Sequence, residues 1–78
     1  MTREQAEFNV SISDIKKGDF YQLINSDKKY IIHNIEIQPN NENTSEYHVR
    51  VVANSVDGNY IMSEEFNLFK SNFVKLST

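Results

Sequence analysis

The chain has no cysteine, no tryptophan, one proline and two glycines. Without cysteine, disulfides and thiolate-ligated zinc are excluded. Packing alone must therefore hold the fold. Two glycines are too few for a phosphate-cradling loop, and each sits in a polar stretch that reads as a turn, at Gly18 and Gly58. No apolar run exceeds a few residues, so no segment reads as a transmembrane helix. The opening Met1-Thr-Arg-Glu-Gln-Ala-Glu7 lacks the apolar stretch of a secretory leader. The expected compartment is a reducing cytoplasm. Eleven acidic residues against eight basic ones leave a net charge of −3, which on average repels nucleic-acid phosphate.

What is present is β-rich. Eight Ile, six Val, five Phe and four Tyr stand against two Ala and three Leu, a bias toward residues that suit a pleated sheet. Seventy-eight residues make one domain, and a chain this short buries only about 60% of its unfolded surface. Residues 1–12 read as a flexible arm or edge segment, with a frayed helix over Thr2–Glu7 as an alternative, and residues 13–78 as a single small barrel domain. Ser13–Asp19 forms a turn into a strand over Phe20–Ile24, with Gly18 supplying left-handed backbone and Ile15 anchoring the turn. Asn25–Lys28 turns the chain, and Lys29–Ile37 is the second strand, ended by Pro39. A polar loop at 38–46 leads to a third strand at Tyr47–Asn54. Asp57-Gly58 predicts a type I′ hairpin, with left-handed backbone at both residues, into a fourth strand at Asn59–Met62. Ser63 then caps a helical turn over Glu64–Lys70, in which Phe66 and Phe69 seal the barrel end and Leu68 is left exposed. Phe73–Leu76 closes the barrel.

If the 38–46 loop joins an antiparallel pair, Ile31 faces Ala53, His33 faces Val51, Ile35 faces Val49 and Ile37 faces Tyr47. That set reads as core. Tyr30, Ile32, Asn34, Glu36, His48, Arg50 and Val52 then form the outer face. The fold expected is mainly β: a small, strongly bent antiparallel barrel of five to six strands, with one short helical turn before the last.

Three stretches carry a resemblance: Lys17-Gly18-Asp19-Phe20-Tyr21, Lys29-Tyr30-Ile31-Ile32 and Gly58-Asn59-Tyr60-Ile61-Met62-Ser63-Glu64-Glu65-Phe66. Together, over residues 16–76, the chain resembles small SH3-like barrel proteins of unknown function from bacteria and phages. Where those proteins carry Trp and Arg-Pro, this chain has Ile61-Met62-Ser63-Glu64. The resemblance implies an SH3-like barrel and a phage origin, the latter in keeping with ten Asn beside eight Ile. It implies no reaction.

Catalytic and cofactor chemistry finds little support. A metal site on His33 and His48 needs a third ligand, and the register sends the two rings to opposite faces, with His33 in the interior and His48 exposed near Glu36. Glu64, Glu65 and Asp57 are the acidic cluster to weigh for acid–base work, but the two glutamates diverge along the chain and suit the start of the helical turn. The expectation is a non-enzymatic chain with no catalytic, cofactor-binding or metal residues and no membrane contact. The candidate protein-contact patch is Tyr30, Ile32, Arg50 and Val52, residue types found at binding surfaces. The function expected is a protein-interaction module, a phage-encoded factor that modulates a host or phage protein. A nucleic-acid-binding barrel is the alternative, with Lys16, Lys17, Lys28 and Lys29 meeting phosphate and Tyr21 stacking on bases. A structural accessory of a phage assembly, seen as a homo-oligomer, is the third reading.

Overall fold

The computed structural model describes residues 1–40, 42 and 45–76. The chain runs α1 (Arg3–Ile12), β1 (Phe20–Leu23), β2 (Lys29–Pro39), β3 (Tyr47–Ser55), β4 (Ile61–Glu65), α2 (Phe66–Asn72) and β5 (Phe73–Lys75). The strands form one antiparallel sheet in the order β4-β3-β2-β1-β5. Among the described residues β4 and β5 do not pair, so the sheet is open rather than a closed barrel. Part of the expected 38–46 loop, Asn41, Asn43 and Thr44, lies outside the described residues.

The expected β2–β3 pairs do not form: Ile35 faces Val51 and Ile37 faces Val49, two residues from the pairing drawn above, and the facing of the first half of β2 is reversed by a single residue. From the β1 end, Tyr30 pairs with Ser55, Ile31 with Asn54 and Ile32 with Ala53. Beyond the irregularity at His33 the pairs are Asn34 with Val52, Ile35 with Val51, Glu36 with Arg50 and Ile37 with Val49. His33 is the extra residue of a β-bulge, which resets the alternation of β2 by one. Tyr30 and Ile32 before the bulge and Ile35 and Ile37 after it therefore point to the same side. An uninterrupted period of two cannot put both pairs inside. The bulge lies where the chain before β1 docks on β2: the Gly18 N–H donates to the Ile32 carbonyl at 2.9 Å, and the Ile32 N–H donates to the Asp19 carbonyl at 2.9 Å.

The N-terminal segment, expected as a flexible arm or edge, is a capped helix. The Thr2 hydroxyl accepts from the Gln5 N–H while the Gln5 side chain accepts from the Thr2 N–H, at 3.1 and 3.0 Å, a reciprocal capping box. Ala6 and Val10, four apart on one face, pack α1 onto the core. The Tyr47 N–H donates to the Met1 carbonyl, which ties the start of the helix to β3.

The β3–β4 connection is looser than a type I′ turn. Only Gly58 takes left-handed backbone, at φ +81°, and Asp57 does not. The Gly58 N–H donates to the Ser55 carbonyl at 2.9 Å, and the Ser55 N–H to the Tyr60 carbonyl at 2.7 Å. Asp57 instead serves the turn through its side chain, accepting from the Ser55 hydroxyl at 2.6 Å and from the Asn59 N–H at 3.0 Å. β4 runs further than expected, to Glu65, so Ser63 lies within the strand. The cap of α2 is Glu65, whose carboxylate accepts from the Leu68 N–H at 3.0 Å.

The core lies between the sheet and the two helices. Its largest fully enclosed side chains are Phe69, Ile32 and Val51. Phe69 stacks on Phe73 at 4.4 Å between ring centroids and meets Tyr21 edge-on at 5.0 Å, while Tyr30 meets Phe73 edge-on at 5.6 Å. Such pairs add about 0.5–1.5 kcal/mol beyond their burial. Ile15 anchors the turn before β1, and Leu68 is exposed, both as expected.

Three variants separate packing from register. Truncation of the enclosed Phe69 to Ala should cost about 3–5 kcal/mol, read by chemical denaturation. Replacing exposed His33 with Ala should change stability by less than about 0.5 kcal/mol. Deleting His33 should abolish cooperative unfolding, because Ile35 and Ile37 would turn away from the core; a deletion variant that melts like the parent would exclude the bulge as the determinant of register.

Candidate functional site

Both helices cover one side of the sheet and leave the other without a helix. Cross-strand pairing orders that outer face into rows. One row carries Phe20, Ile31, Asn54 and Ile61, running from β1 to β4. Beside it lie Val52 and Ser63, then Glu36, Arg50 and Glu65. On the other flank, Val74, Gln22 and Lys29 form a fourth set. Phe20 is 37% exposed, Val74 53% and Ile61 69%, while Ile31 and Val52 are half-buried. The apolar row is therefore open to solvent at both ends. Arg50, directly opposite Glu36 and Glu65, turns its guanidinium to Ser63, donating from Nε to Oγ at 2.8 Å and from Nη2 to the carbonyl at 3.0 Å. Asn54 Oδ1 is screened from solvent and has no hydrogen-bond donor among the described residues.

The expected contact patch divides across the sheet. Arg50 and Val52 do lie on the outer face. Tyr30 and Ile32, expected beside them, are 6% and 2% exposed on the inner side, because the bulge reverses the first half of β2. The reversal turns Ile31 out in their place. Sequence reasoning missed Phe20, Ile31, Ile61 and Val74 as surface residues. The available signal was the break in β2 itself, where apolar residues fall at 30 and 32 and then at 35 and 37.

The nucleic-acid residues also separate. Tyr21, proposed to stack on bases, is buried against Phe69. Burial, reinforced by the carboxylates of Asp14 and Asp19, pushes its phenol up from 10.0 to about 12. Lys16 and Lys17 are exposed in the segment before β1, and Lys28 and Lys29 are exposed at the start of β2. The second pair lines a cleft of about 650 Å³ at the end of the sheet, together with Leu23, Val56 and Tyr60. Asp57, also in this cleft, is committed to its own turn, and its bonds from Ser55 and Asn59 hold its carboxyl below the ordinary range.

The positions weighed for metal or acid–base chemistry are dispersed. His33 is exposed at the bulge rather than buried. His48 is half-buried on the outer face, its Nε2 3.3 Å from Gln38 Oε1. Glu65 caps α2, Glu64 pairs across from Val51, and Asp57 lies in the β3–β4 turn. Among the described residues no three histidine or carboxylate side chains converge as a metal site would require, and no helix is long and apolar enough to cross a membrane.

Compared with known protein families, curated proteins and solved structures, the chain matches no family model, no curated protein and no solved structure.

Tyr21 gives this region a measurable pH signature. Its folded-state value lies above the ordinary 10.0, at about 12. Its contribution to stability is therefore complete below pH 10 and lost as pH rises toward 12, since the unfolded chain ionises first. Thermal melts across that window should fall less steeply for Tyr21→Phe than for the parent chain. Equal slopes would show that the phenol is not held neutral by its surroundings.

Proposed function

We propose that this chain is a non-enzymatic protein-interaction module that docks its partner on the helix-free face of the sheet. The observation that carries this reading is the Phe20–Ile31–Asn54–Ile61 row, with Val52 and Arg50 alongside, on the one side of the sheet that no helix covers. Isolated exposed apolar residues are ordinary, but a row across four strands that is apolar on three of them, broken by Asn54 and rimmed by polar groups, has the composition of a contact surface. The same reading takes the sheet as SH3-like in plan, left open between β4 and β5. The strand order, with a helix before a last strand that returns to β1, supports that plan.

A second reading, nucleic-acid binding, rests on the cleft where Lys28 and Lys29 stand near Tyr60. The lysines would meet phosphate and Tyr60 would take the stacking role first given to Tyr21. The net charge of −3 opposes it. Its mark would be salt-sensitive binding of single-stranded oligonucleotides, and a mobility shift that shows nothing at low salt removes it.

Affinity capture with the intact chain as bait tests the main reading. Ile61→Lys should reduce capture at least tenfold and shift the melting temperature by no more than about 4 °C, because the side chain is mostly in water. Ile32→Asp, in contrast, should unfold the protein by burying an unpaired carboxylate. Undiminished capture by Ile61→Lys would place the contact elsewhere.

A further inference from the structure

We infer that the partner this face fits is a second copy of the same chain, packed sheet against sheet about a two-fold axis. This inference rests on the preceding reading of the outer face and names its occupant. Three observations point to self-pairing. The first is charge. The chain carries −3 overall, yet on the paired positions of this face Lys29 and Arg50 balance Glu36 and Glu65. Two copies can approach here without the repulsion that their acidic surplus imposes elsewhere.

The second is area. Strands of 4, 11, 9, 5 and 3 residues, at standard rise and spacing, present on the order of 500 Å². Two copies would bury about 1,000 Å², which is the lower bound for a specific interface. That size fits a reversible dimer and not an obligate one.

The third is the orphaned amide. Asn54 sits in the middle of the apolar row, and its Oδ1 lacks a donor. A two-fold axis near Asn54 lays the row of one copy on that of the other. It also brings the two Asn54 side chains together; because each Oδ1 is screened from solvent within its own copy, pairing requires the amides to rotate outward, where the N–H₂ of one meets the carbonyl of the other. Sheets packed this way stand about 10 Å apart with their strands within about 30° of alignment.

Sedimentation equilibrium on the intact chain over a wide concentration range tests this. The expected result is a monomer–dimer equilibrium whose dimer fraction rises with concentration and is not reduced by added salt. Ile61→Lys and Val74→Lys, both at exposed positions of this face, should each weaken dimerisation at least tenfold. Phe8→Lys, on the outward side of α1 and 61% exposed, should leave it unchanged. A monomer at every concentration overturns the inference, as does a dimer that Phe8→Lys breaks and both face variants spare. If the chain is monomeric but Ile61→Lys still abolishes capture of a different protein, only self-pairing has failed. If the chain is monomeric and Ile61→Lys captures normally, the reading of the face has failed as well.

Discussion

One extra residue in β2 decides what this protein hides and what it shows. Because successive side chains of a strand alternate between faces, a single bulge exchanges the faces from that point onward. With His33 inserted, Tyr30 and Ile32 join Ile35 and Ile37 on the side that meets Val49, Val51 and Ala53. The aromatic cluster of Tyr21, Tyr30, Phe69 and Phe73 can then assemble under the sheet. The same reversal puts Ile31 in line with Phe20 and Ile61 on the opposite side. Core and candidate surface are two consequences of one irregularity.

The helices reinforce this division. α1 lays Ala6 and Val10 against the sheet, and α2 adds Phe66 and Phe69. Each begins at a side-chain cap, Thr2 with Gln5 for α1 and Glu65 for α2, so their first backbone donors are met locally. Both fall on the inner side. Sheet and helices thus form a two-layer structure with one bare face, on which Lys29 and Arg50 cancel Glu36 and Glu65 while the whole chain carries −3. In a domain this small, where the largest fully enclosed side chains are Phe69, Ile32 and Val51, the apolar residues left on the bare face stand out against the core they do not join.

Much of the element order was legible. Gly18 takes left-handed backbone, at φ +92°, where the turn into the first strand required it. The β2–β3 and β3–β4 hairpins, the helix before the last strand and the exposed Leu68 all follow from turn residues and local periodicity. Other features needed signals that were present but outweighed. Thr2 and Gln5, three apart, form a capping box, yet the polar composition of residues 1–12 read as an arm. Asp57-Gly58 marked a turn, but the Ser55 hydroxyl and Asn59 amide gave the Asp57 carboxylate a better role than a strained backbone would have.

Local chemistry by itself therefore determined the order of the strands, where glycine turns the chain, and that disulfides and thiolate metal sites play no part. Those features depend on residues close together along the chain. Which face of β2 points inward was decided only in three dimensions. Apolar residues occupy both phases of Tyr30–Ile37, so alternation alone admits either face, and docking of Gly18 and Asp19 onto Ile32 fixes where the phase changes. The candidate surface inherits that choice. Tyr30 and Ile32 belong to the interior, and Phe20, Ile31 and Ile61, far apart in sequence, become neighbours because three hairpin registers bring them into one row.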